Sequence, residues 1–377
     1  MSAVHKLSTQ SNRFFAILQH WQQPVSRCNT TTRIINFINN HKTLSARVLS
    51  TMSRPKVLVT RGDIPEVGLN ILREKCDVDV WDSLSPIPQT ELLKRISGID
   101  GLYCLLTDSI DKEIIEAAGS QLKVVSTMSV GYDHLDLRTL KDRNIRVGYT
   151  PGVLTETTSE LTVALLLATS RRLLEANKAM REGQWKAWSP SFMCGPGLVG
   201  ATIGIVGLGG IGTRIAQMLA VFRPAKIIYA TRSEKNKETL GFNGERVSFD
   251  ELLVQSDFVI VTTALTPETR EMFNADAFRK MKKTAVFINV SRGQVVDQDA
   301  LIDALKDGTI RSAGLDVMTP EPIPLDSELL KLDNCVVIPH LGSATIETRQ
   351  EMARMTALNI MAVLNGEPEK MPAELDF

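Results

Sequence analysis

Residues 201–212 read ATIGIVGLGGIG, an apolar run that leads into a glycine-rich turn. Residues 201–206 are apolar and rich in β-branched side chains, which is typical of a strand buried on both faces of a parallel sheet. After the turn, apolar residues recur at helical spacing from Ile211 to Phe222, and Pro224 ends the pattern. The order of strand, glycine turn and helix predicts a dinucleotide-binding unit of the Rossmann type.

Five residues of the turn are predicted to contact the cofactor: Gly207, Gly209, Gly210, Ile211 and Gly212. The first glycine permits the tight turn, the second lets the backbone approach a pyrophosphate, and the last lets the helix pack closely on the strand. Gly210 and Ile211 begin the helix, whose N-terminus attracts the phosphate charge. The alternative is a glycine-rich turn without a ligand.

The predicted strand at residues 226–230 is followed by the residues that select the cofactor. An NAD site places Asp or Glu roughly 20 residues past the glycines, where it binds the ribose 2′-hydroxyl. Here that position is Thr231, followed by Arg232, Ser233 and then Lys235. A guanidinium can pair with a 2′-phosphate, and a serine can donate a hydrogen bond to it. The sequence therefore predicts NADPH as the preferred cofactor and NADH as the second choice; the alternative is that Arg232 and Lys235 are only solvated loop residues.

The composition is that of a soluble globular enzyme. The 377 residues are 43% hydrophobic and carry 43 basic and 43 acidic side chains, which allows two domains and gives no basic excess for binding nucleic acid. The most apolar stretch, residues 161–168, is shorter than the about 20 residues that span a bilayer, so no membrane contact is expected. The cysteines show neither C-x-x-C nor zinc-ligand spacing, which predicts buried free thiols, a reducing compartment and no metal site. They are Cys28, Cys76, Cys104, Cys194 and Cys335.

The N-terminal segment differs in charge from the remainder. Residues 1–60 contain eight Lys or Arg and no Asp or Glu, whereas residues 61–377 contain 35 basic and 43 acidic side chains, a net charge of −8. Residues 1–52 are also rich in Ser, Thr and Asn, which is the profile of a mitochondrial transit peptide. Two alternatives remain open: a disordered extension, or an extension bypassed when synthesis starts at Met52, which gives a cytoplasmic form.

Two α/β units follow along the chain. The predicted strands of the first unit are residues 56–60, 101–106, 122–127 and 145–149. The second unit begins at the glycine turn and continues with predicted strands at 258–262, 285–289, 312–317 and 335–338. Between the units, Thr157 and Glu160 fit a capping box at the start of a connecting helix. Residues 344–364 predict one long amphipathic helix with no sheet of its own to cover, so we expect it to return to the first unit.

Polar side chains follow the predicted strands of the second unit. Arg292 and His340 each come just after an apolar strand, Asp316 ends another, and Glu321 lies between them in the chain. The carboxyl ends of the strands are where open parallel sheets bind ligands. An arginine there suits a substrate carboxylate, because its planar fork makes two charge-assisted hydrogen bonds. A carboxylate such as Glu321 beside His340 would fix its tautomer and favour its protonated form, making it a proton donor near neutrality.

Each of these residues also has a structural interpretation. Arg292 could form a surface salt bridge, and His340 could cap or pack against its neighbours. His134 is the rival candidate for an acid or base, since it lies near Asp133, and we assign it a structural role. Trp185 and Trp188 could wall the pocket, form a subunit contact or pack in the core.

Six stretches together resemble the D-isomer-specific 2-hydroxyacid dehydrogenases, from about residue 55 to the C-terminus. They are TMSVGYDH at 127–134, RVGYTP at 146–151, VGLG at 206–209, FINVSRG at 287–293, AGLDV at 313–317 and PHLGSA at 339–344. Within the family the chain is most similar to the glyoxylate/hydroxypyruvate reductase branch, which the residues at 232–233 also suit.

The resemblance implies roles for particular residues. The implied catalytic trio is Arg292, Glu321 and His340. The implied substrate site consists of Val130 and Gly131, through their backbone amides, with Arg292, His340 and Ser343. The residues implied to border the nicotinamide are Ala264, Val290, Asp316 and Gly342.

The resemblance also implies the architecture: two Rossmann-like or flavodoxin-like α/β domains, with an NAD(P)-binding Rossmann domain at 153–342 inserted into a substrate-binding domain at 53–152 plus 343–377. It further implies a homodimer. The implied activity is NADPH-dependent reduction of glyoxylate to glycolate and of hydroxypyruvate to D-glycerate. The alternatives are a related dehydrogenase acting on D-lactate, D-glycerate or 3-phosphoglycerate, and a non-enzymatic NAD(H)-sensing protein similar to the C-terminal-binding-protein corepressors.

Overall fold

The structure, a computed structural model, describes residues 53–377. The N-terminal segment at 1–52, with its predicted presequence, lies outside the described residues. The described chain forms two parallel β-sheets, one of five and one of seven strands, and helices cover both. The predicted α/β class with two parallel-sheet units is therefore confirmed.

The first sheet has the strand order β2-β1-β3-β4-β5 and is parallel throughout. Its strands are Lys56–Val59 (β1), Asp77–Val80 (β2), Gly101–Cys104 (β3), Val124–Thr127 (β4) and Arg146–Gly148 (β5). The helices between them are Glu66–Arg73 (α1), Gln89–Arg95 (α2), Lys112–Ala117 (α3) and Leu137–Asp142 (α4). This order is the flavodoxin-like one. The sequence prediction missed β2, an edge strand whose alternating Asp and Val residues are half-buried or exposed.

Two helices carry the chain toward the second sheet, Thr155–Ser170 (α5) and Leu173–Arg181 (α6). The predicted capping box at the start of α5 is wrong, because the helix begins at Thr155 after Leu154, which makes no side-chain cap. Thr157 therefore lies inside the first turn. Its hydroxyl shares a 2.6 Å hydrogen bond with the hydroxyl of Thr348, which lies almost two hundred residues further along the chain.

The second sheet has the strand order β12-β11-β10-β9-β6-β7-β8, also parallel throughout. Its strands are Thr202–Val206 (β6), Lys226–Ala230 (β7), Glu245–Arg246 (β8), Phe258–Val261 (β9), Val286–Asn289 (β10), Ser312–Leu315 (β11) and Cys335–Val337 (β12). The helices beside them are Gly210–Ala220 (α7), Phe249–Gln255 (α8), Ala275–Lys280 (α9) and Gln298–Lys306 (α10). The strand order reverses between β6 and β9, which is where such sheets open a crevice for a dinucleotide.

The long C-terminal helix Ile346–Leu364 (α11) packs on the first sheet. Its buried residues Ala353 and Ile360 join the apolar cluster of Val57 and Tyr103. The approach to α1 is close, since a Cβ added at Gly68 would lie 2.9 Å from the Ala353 carbonyl oxygen. The helix therefore completes the core of the sheet with which the described chain begins.

The described cysteines differ in their burial. Cys76 and Cys104 are buried and Cys335 is partly buried, but Cys194 is exposed in an irregular loop, so the prediction of a buried thiol is wrong there. Cys28 lies outside the described residues. Among residues 53–377, no helix has the length and apolar character needed to cross a bilayer.

Candidate active site and cofactor groove

The glycine turn between β6 and α7 is shaped for a backbone that approaches a ligand. Gly207 has φ +94°, and a Cβ there would lie 2.6 Å from the Thr263 nitrogen. A Cβ at Gly212 would overlap the carbonyl oxygen of Gly207, whereas nothing lies within 4 Å of a Cβ added at Gly209. Gly207 and Gly212 thus close the turn, and Gly209 leaves it open on the outside.

The N-terminus of α7 offers donors at this open side. The first backbone bond of the helix runs from Thr213 N–H to the Gly209 carbonyl. Within the described chain, the N–H groups of Gly210, Ile211 and Gly212 have no acceptor. The Ile211 side chain packs against the apolar clusters of both sheets, which leaves its N–H as the group available to a cofactor. Unpaired N–H groups at a helix N-terminus suit a phosphate.

A groove of about 1130 Å³ runs from the glycine turn to the carboxyl ends of β7 and β8. Predicted cofactor residues that line it are Gly207, Gly209, Arg232, Ser233, Lys235 and Ala264. The side chains of Arg232, Ser233 and Lys235 form no hydrogen bond to any described residue. The groove therefore combines an open glycine turn with free polar groups at its far end, and these residues fit a dinucleotide.

Arg292 follows β10 and reaches the loop after β4. Its Nε donates to Asp133 Oδ1 at 3.0 Å and its Nη1 to the Ser291 carbonyl at 2.9 Å. The backbone carbonyl of Arg292 accepts from Asn289 Nδ2 at 2.9 Å. A Cβ added at Gly131 would overlap Arg292 Nη2. The guanidinium is thus fixed on two sides, and Nη2 lies directly against the Gly131 backbone.

The loop after β4 presents backbone donors beside this guanidinium. In the described chain, the N–H groups of Val130 and Gly131 have no acceptor. Ser129 Oγ donates to the Gly131 carbonyl at 2.6 Å, which fixes the loop, and the Val130 side chain packs into the apolar cluster on β1. Free N–H groups next to Arg292 Nη2 make a site suited to a carboxylate.

His340 and Glu321 form a pair on the loops after β12 and β11. The distance from His340 Nδ1 to Glu321 Oε2 is 2.8 Å, and Glu321 Oε1 accepts from Met318 N–H at 3.0 Å. Because a carboxylate only accepts, Nδ1 carries a proton. Burial acts to raise the pKa of Glu321, but the hydrogen bond and charge of His340 and the Met318 N–H hold that pKa below its ordinary value. Glu321 is therefore ionised and orients the imidazole.

Asp316 holds the histidine loop in place. Its carboxylate accepts from Leu341 N–H at 2.6 Å and Gly342 N–H at 2.9 Å, and its carbonyl accepts from His340 N–H at 3.0 Å. Burial raises the pKa of Asp316, and these hydrogen bonds oppose the rise. His340 has φ +52°, a left-handed conformation that is uncommon outside glycine. The anchored loop enforces this conformation and points to a functional position.

Other predicted residues lie along the same edge of the second sheet. Val290 is buried directly after β10, and Ser343 is partly buried just past Gly342. The side chain of Ser343 forms no hydrogen bond to a described residue. Ala264 lies past the end of β9 and is exposed to the groove. These positions connect the groove with the Arg292 and His340 loops.

His134 differs from His340 in its surroundings. Its Nε2 lies 2.9 Å from Thr127 Oγ1, and its Nδ1 is buried without a partner in the described chain. Burial is the main cause that lowers the pKa of His134 to about 4, with the charge of Arg292 acting in the same direction. The ring is therefore neutral at physiological pH, which suits a structural role.

Three polar residues contribute to the site without having been predicted from the sequence. Asp133 pairs with Arg292, Asn289 ties the turn that carries Arg292, and Arg246 lines the groove. Asp133 lies in one of the stretches that carry the family resemblance, so its charge beside a predicted substrate loop was a signal. Arg246 gave none, because it joins the groove only through the pairing of β7 with β8. Trp185 and Trp188 are 55% and 81% exposed, so the interpretation as core residues is wrong.

Fold and site together define an NAD(P)-binding oxidoreductase of the CH–OH class. The family model described as "D-isomer specific 2-hydroxyacid dehydrogenase, NAD binding domain" matches residues 163–342. This match and the similarity to the relatives show that the chain belongs to the D-isomer-specific 2-hydroxyacid dehydrogenases. The resemblance seen in the sequence is therefore confirmed, and so is the predicted class of substrate, a small 2-hydroxy or 2-oxo acid.

The similarity extends over nearly all of the described chain. A glyoxylate reductase/hydroxypyruvate reductase of Homo sapiens is 52% identical over 322 residues, covering 85% of this chain and 97% of the relative. A crystal structure of a Thermus thermophilus protein has a TM-score of 0.79 at 42% identity, covering 85% of this chain and all of that one. An NADPH-dependent glyoxylate/hydroxypyruvate reductase of Sinorhizobium meliloti, solved with NADP and malonate, has a TM-score of 0.74 at 31% identity, covering 86% and 97%.

Proposed function

We propose that the protein reduces glyoxylate to glycolate and hydroxypyruvate to D-glycerate, with NADPH as its preferred reductant. The observation that carries this proposal is the convergence of a carboxylate site and a proton donor where the loop after β4 of the first sheet meets the carboxyl ends of the strands of the second sheet. Arg292 and the free N–H groups of Val130 and Gly131 form the first, and the His340–Glu321 pair forms the second. The names of the relatives from Homo sapiens and Sinorhizobium meliloti support the choice of substrates.

In this proposal the substrate is held by its carboxylate. Arg292 Nη2 and the two backbone N–H groups donate to it, and Asp133 and the Ser291 carbonyl keep the guanidinium from rotating. We call these three donors, Arg292 Nη2 and the N–H groups of Val130 and Gly131, the carboxylate clamp. A 2-oxo acid held by the clamp has its carbonyl carbon at a fixed position, and this positioning lowers the entropic cost of reaching the transition state. Arginine suits this task because it remains charged at every working pH.

The proton is delivered by His340. Its Nδ1–H is engaged by Glu321, so Nε2–H is the group that faces the carbonyl oxygen and protonates it as negative charge develops there. The ionised Glu321 stabilises the imidazolium and fixes its orientation. Bound NADPH supplies the hydride to the 2-carbon. A substrate turns over when the clamp holds its carboxylate and its 2-carbonyl oxygen then lies next to His340 Nε2–H.

The preference for NADPH rests on the far end of the groove. The side chains of Arg232, Ser233 and Lys235 line it without a hydrogen bond to any described residue, and no carboxylate occupies the position after β7 that would repel a 2′-phosphate. Glu268 also lines this end; hydrogen bonding from Thr266 is the main cause that lowers the pKa of Glu268, with the charge of Arg232 contributing. Three cationic side chains, Arg232, Lys235 and Arg246, line this end against the two carboxylates of Glu251 and Glu268, which leaves the end net positive and favours a phosphate.

The experiment measures initial rates of the full chain with glyoxylate, hydroxypyruvate, pyruvate and 3-phosphohydroxypyruvate, each with NADPH and with NADH. We expect kcat/KM to be highest for the first two acids with NADPH. His340→Gln should reduce turnover at least a hundredfold with unchanged NADPH binding, since general acid catalysis contributes about 10²–10⁴-fold. Higher kcat/KM with pyruvate or 3-phosphohydroxypyruvate would assign a different dehydrogenase. Tight cofactor binding with no turnover would assign a sensing protein instead.

We infer a substrate-binding domain of residues 53–152 plus 343–377 and an inserted NAD(P)-binding domain of residues 153–342. The dimer is supported by exposed apolar side chains between the start of α6 and β6: Leu173, Leu174, Met180, Trp185, Trp188, Phe192 and Val199. So many exposed apolar side chains within one segment of the chain favour a subunit contact. Sedimentation equilibrium should give twice the chain mass, and a Trp185→Ser/Trp188→Ser double variant should shift the species toward monomer.

A mitochondrial location, with a cytoplasmic form from initiation at Met52, is proposed from the charge and composition of residues 1–52. The test compares the full chain and a chain beginning at Met52, each fused at the C-terminus to a fluorescent protein and imaged in cells. Mitochondrial signal from the first and cytoplasmic signal from the second supports the proposal. Cytoplasmic signal from both refutes the transit peptide.

A further inference from the structure

Arg246 lies at the end of the two-residue edge strand β8, directly beside the end of β7. The register pairs Arg246 with Tyr229, so its side chain reaches the residues that follow β7. Its Nη2 donates to the Thr231 carbonyl at 3.0 Å and to the Arg232 carbonyl at 3.2 Å. One guanidinium nitrogen thus binds the carbonyl oxygens of two consecutive residues of the loop.

These two bonds orient the loop. In a trans peptide the C=O and the following N–H point in opposite directions, so the N–H groups of Arg232 and Ser233 point away from Arg246. Neither of these N–H groups has an acceptor within the described chain. Consecutive free N–H groups form an anion-binding concavity. With the carbonyl oxygens occupied by Arg246, the loop presents donors and not acceptors on its other side.

The charges around the loop favour an anion further. Arg232, Lys235 and Arg246 line this end of the groove together with the carboxylates of Glu251 and Glu268. The Glu251 carboxylate is engaged by the backbone N–H and hydroxyl of Ser248 in the capping box of α8. The cations therefore outnumber the carboxylates, and one carboxylate is already satisfied.

We propose that Arg246 is a positioning residue for the 2′-phosphate of the cofactor: it fixes the loop at 231–233 so that the loop's N–H groups and side chains bind a phosphate monoester on the adenosine ribose. This inference rests on the proposed NADPH preference. Arg246 acts through the loop and through its charge, and it takes no part in the hydride or proton transfer.

The test measures dissociation constants by calorimetry for NADPH, NADH, 2′,5′-ADP and 5′-AMP, with the full chain and its variants. Arg246→Ala should weaken NADPH and 2′,5′-ADP by about tenfold or more, the size of a lost charge-assisted interaction, and should change NADH and 5′-AMP less than about twofold. Arg246→Gln, which removes the charge but keeps a polar side chain, is the second variant and should show the same selective loss. Arg138→Ala, at an exposed arginine on α4, is the matched control.

The outcomes separate this inference from the proposal beneath it. Wild-type protein that binds NADPH no more tightly than NADH would refute the cofactor preference, and the inference with it. Wild-type preference that persists in Arg246→Ala and Arg246→Gln, but is lost in Arg232→Ala, would refute the role of Arg246 alone. Equal weakening of all four ligands in both Arg246 variants would also refute it, because a damaged fold does not distinguish a 2′-phosphate.

Discussion

Lowering the pH should destabilise this protein through His134, and the change in its free energy of unfolding can be calculated from the structure. The ring is enclosed beside Thr127, with one nitrogen buried and unpartnered, and burial lowers the pKa of His134 from 6.5 to about 4. In the unfolded chain the same ring takes up a proton near pH 6.5. Between these two values the unfolded state binds more protons than the folded state, so stability falls as the pH falls.

The magnitude follows from the two pKa values. Each pKa unit corresponds to about 1.4 kcal/mol, so His134 alone stabilises the folded state by about 3 kcal/mol less at pH 4 than above pH 7. Over the narrower interval from pH 7 to pH 5, the linkage relation gives a loss of about 2 kcal/mol. This contribution is fully present above pH 6.5 and is lost progressively as the pH falls toward 4.

The assay compares urea unfolding of the wild type and His134→Gln at pH 7, 6 and 5. Glutamine keeps a polar group near Thr127 but does not titrate. Both proteins contain the same carboxylates, so the carboxylates contribute equally to the pH dependence of the two free energies of unfolding. We expect the wild type to lose about 2 kcal/mol more than the variant between pH 7 and 5. Equal losses in both proteins would refute the reasoning, as would an imidazole NMR titration of His134 with a midpoint near 6.5.

Three further predictions concern the site. Glu321→Gln should lower kcat about 10- to 100-fold with unchanged NADPH affinity, because the charge-assisted bond to His340 contributes about 1.5–3 kcal/mol; unaltered kcat in stopped-flow assays would exclude the pair as the proton donor. Gly212→Ala should lower the free energy of unfolding by about 1–3 kcal/mol, because its Cβ would overlap backbone, and calorimetry should find the melting temperature unchanged in Gly197→Ala, where a Cβ meets nothing within 4 Å. Asp133→Asn should raise KM for glyoxylate about fivefold, the effect of a partly exposed ion pair worth about 1 kcal/mol, and an unchanged KM would show that the pair does not position the clamp.

The strands of both sheets could be predicted where they are buried on both faces. β3 and β4 are buried along their whole length and β1 is buried from Val57 onward, and these buried strands are rich in apolar residues in the sequence. The edge strands β2 and β8 could not be predicted in the same way. Their side chains are partly solvated, so their place is decided by pairing with a neighbour and not by burial.

The site was predictable to the extent that its residues follow strands. Arg292, Asp316 and His340 could be placed from the principle that ligands bind at the carboxyl ends of parallel strands. Glu321 could also be proposed as the carboxylate beside His340, but the other partners that fix these residues could not be predicted. Asp133 meets Arg292 across 159 residues of sequence, and the carboxylate of Asp316 turns inward to the backbone N–H groups of the histidine loop. Contacts of this kind depend on tertiary geometry, which one-dimensional patterns do not encode.

The hydrogen bond between Thr157 and Thr348 joins the start of α5 to the start of α11. The two ends of the intervening segment, residues 157–348, therefore lie next to each other. A segment whose two ends meet can be exchanged as a block, because its replacement leaves the spacing of the flanking chain unaltered. The nucleotide-binding segment of this protein can thus be exchanged as one unit. We expect that grafting a relative's segment between these two threonines would transfer its cofactor preference together with its counterparts of Arg292, Glu321 and His340, while the sheet that carries Val130 and Gly131 stays the same.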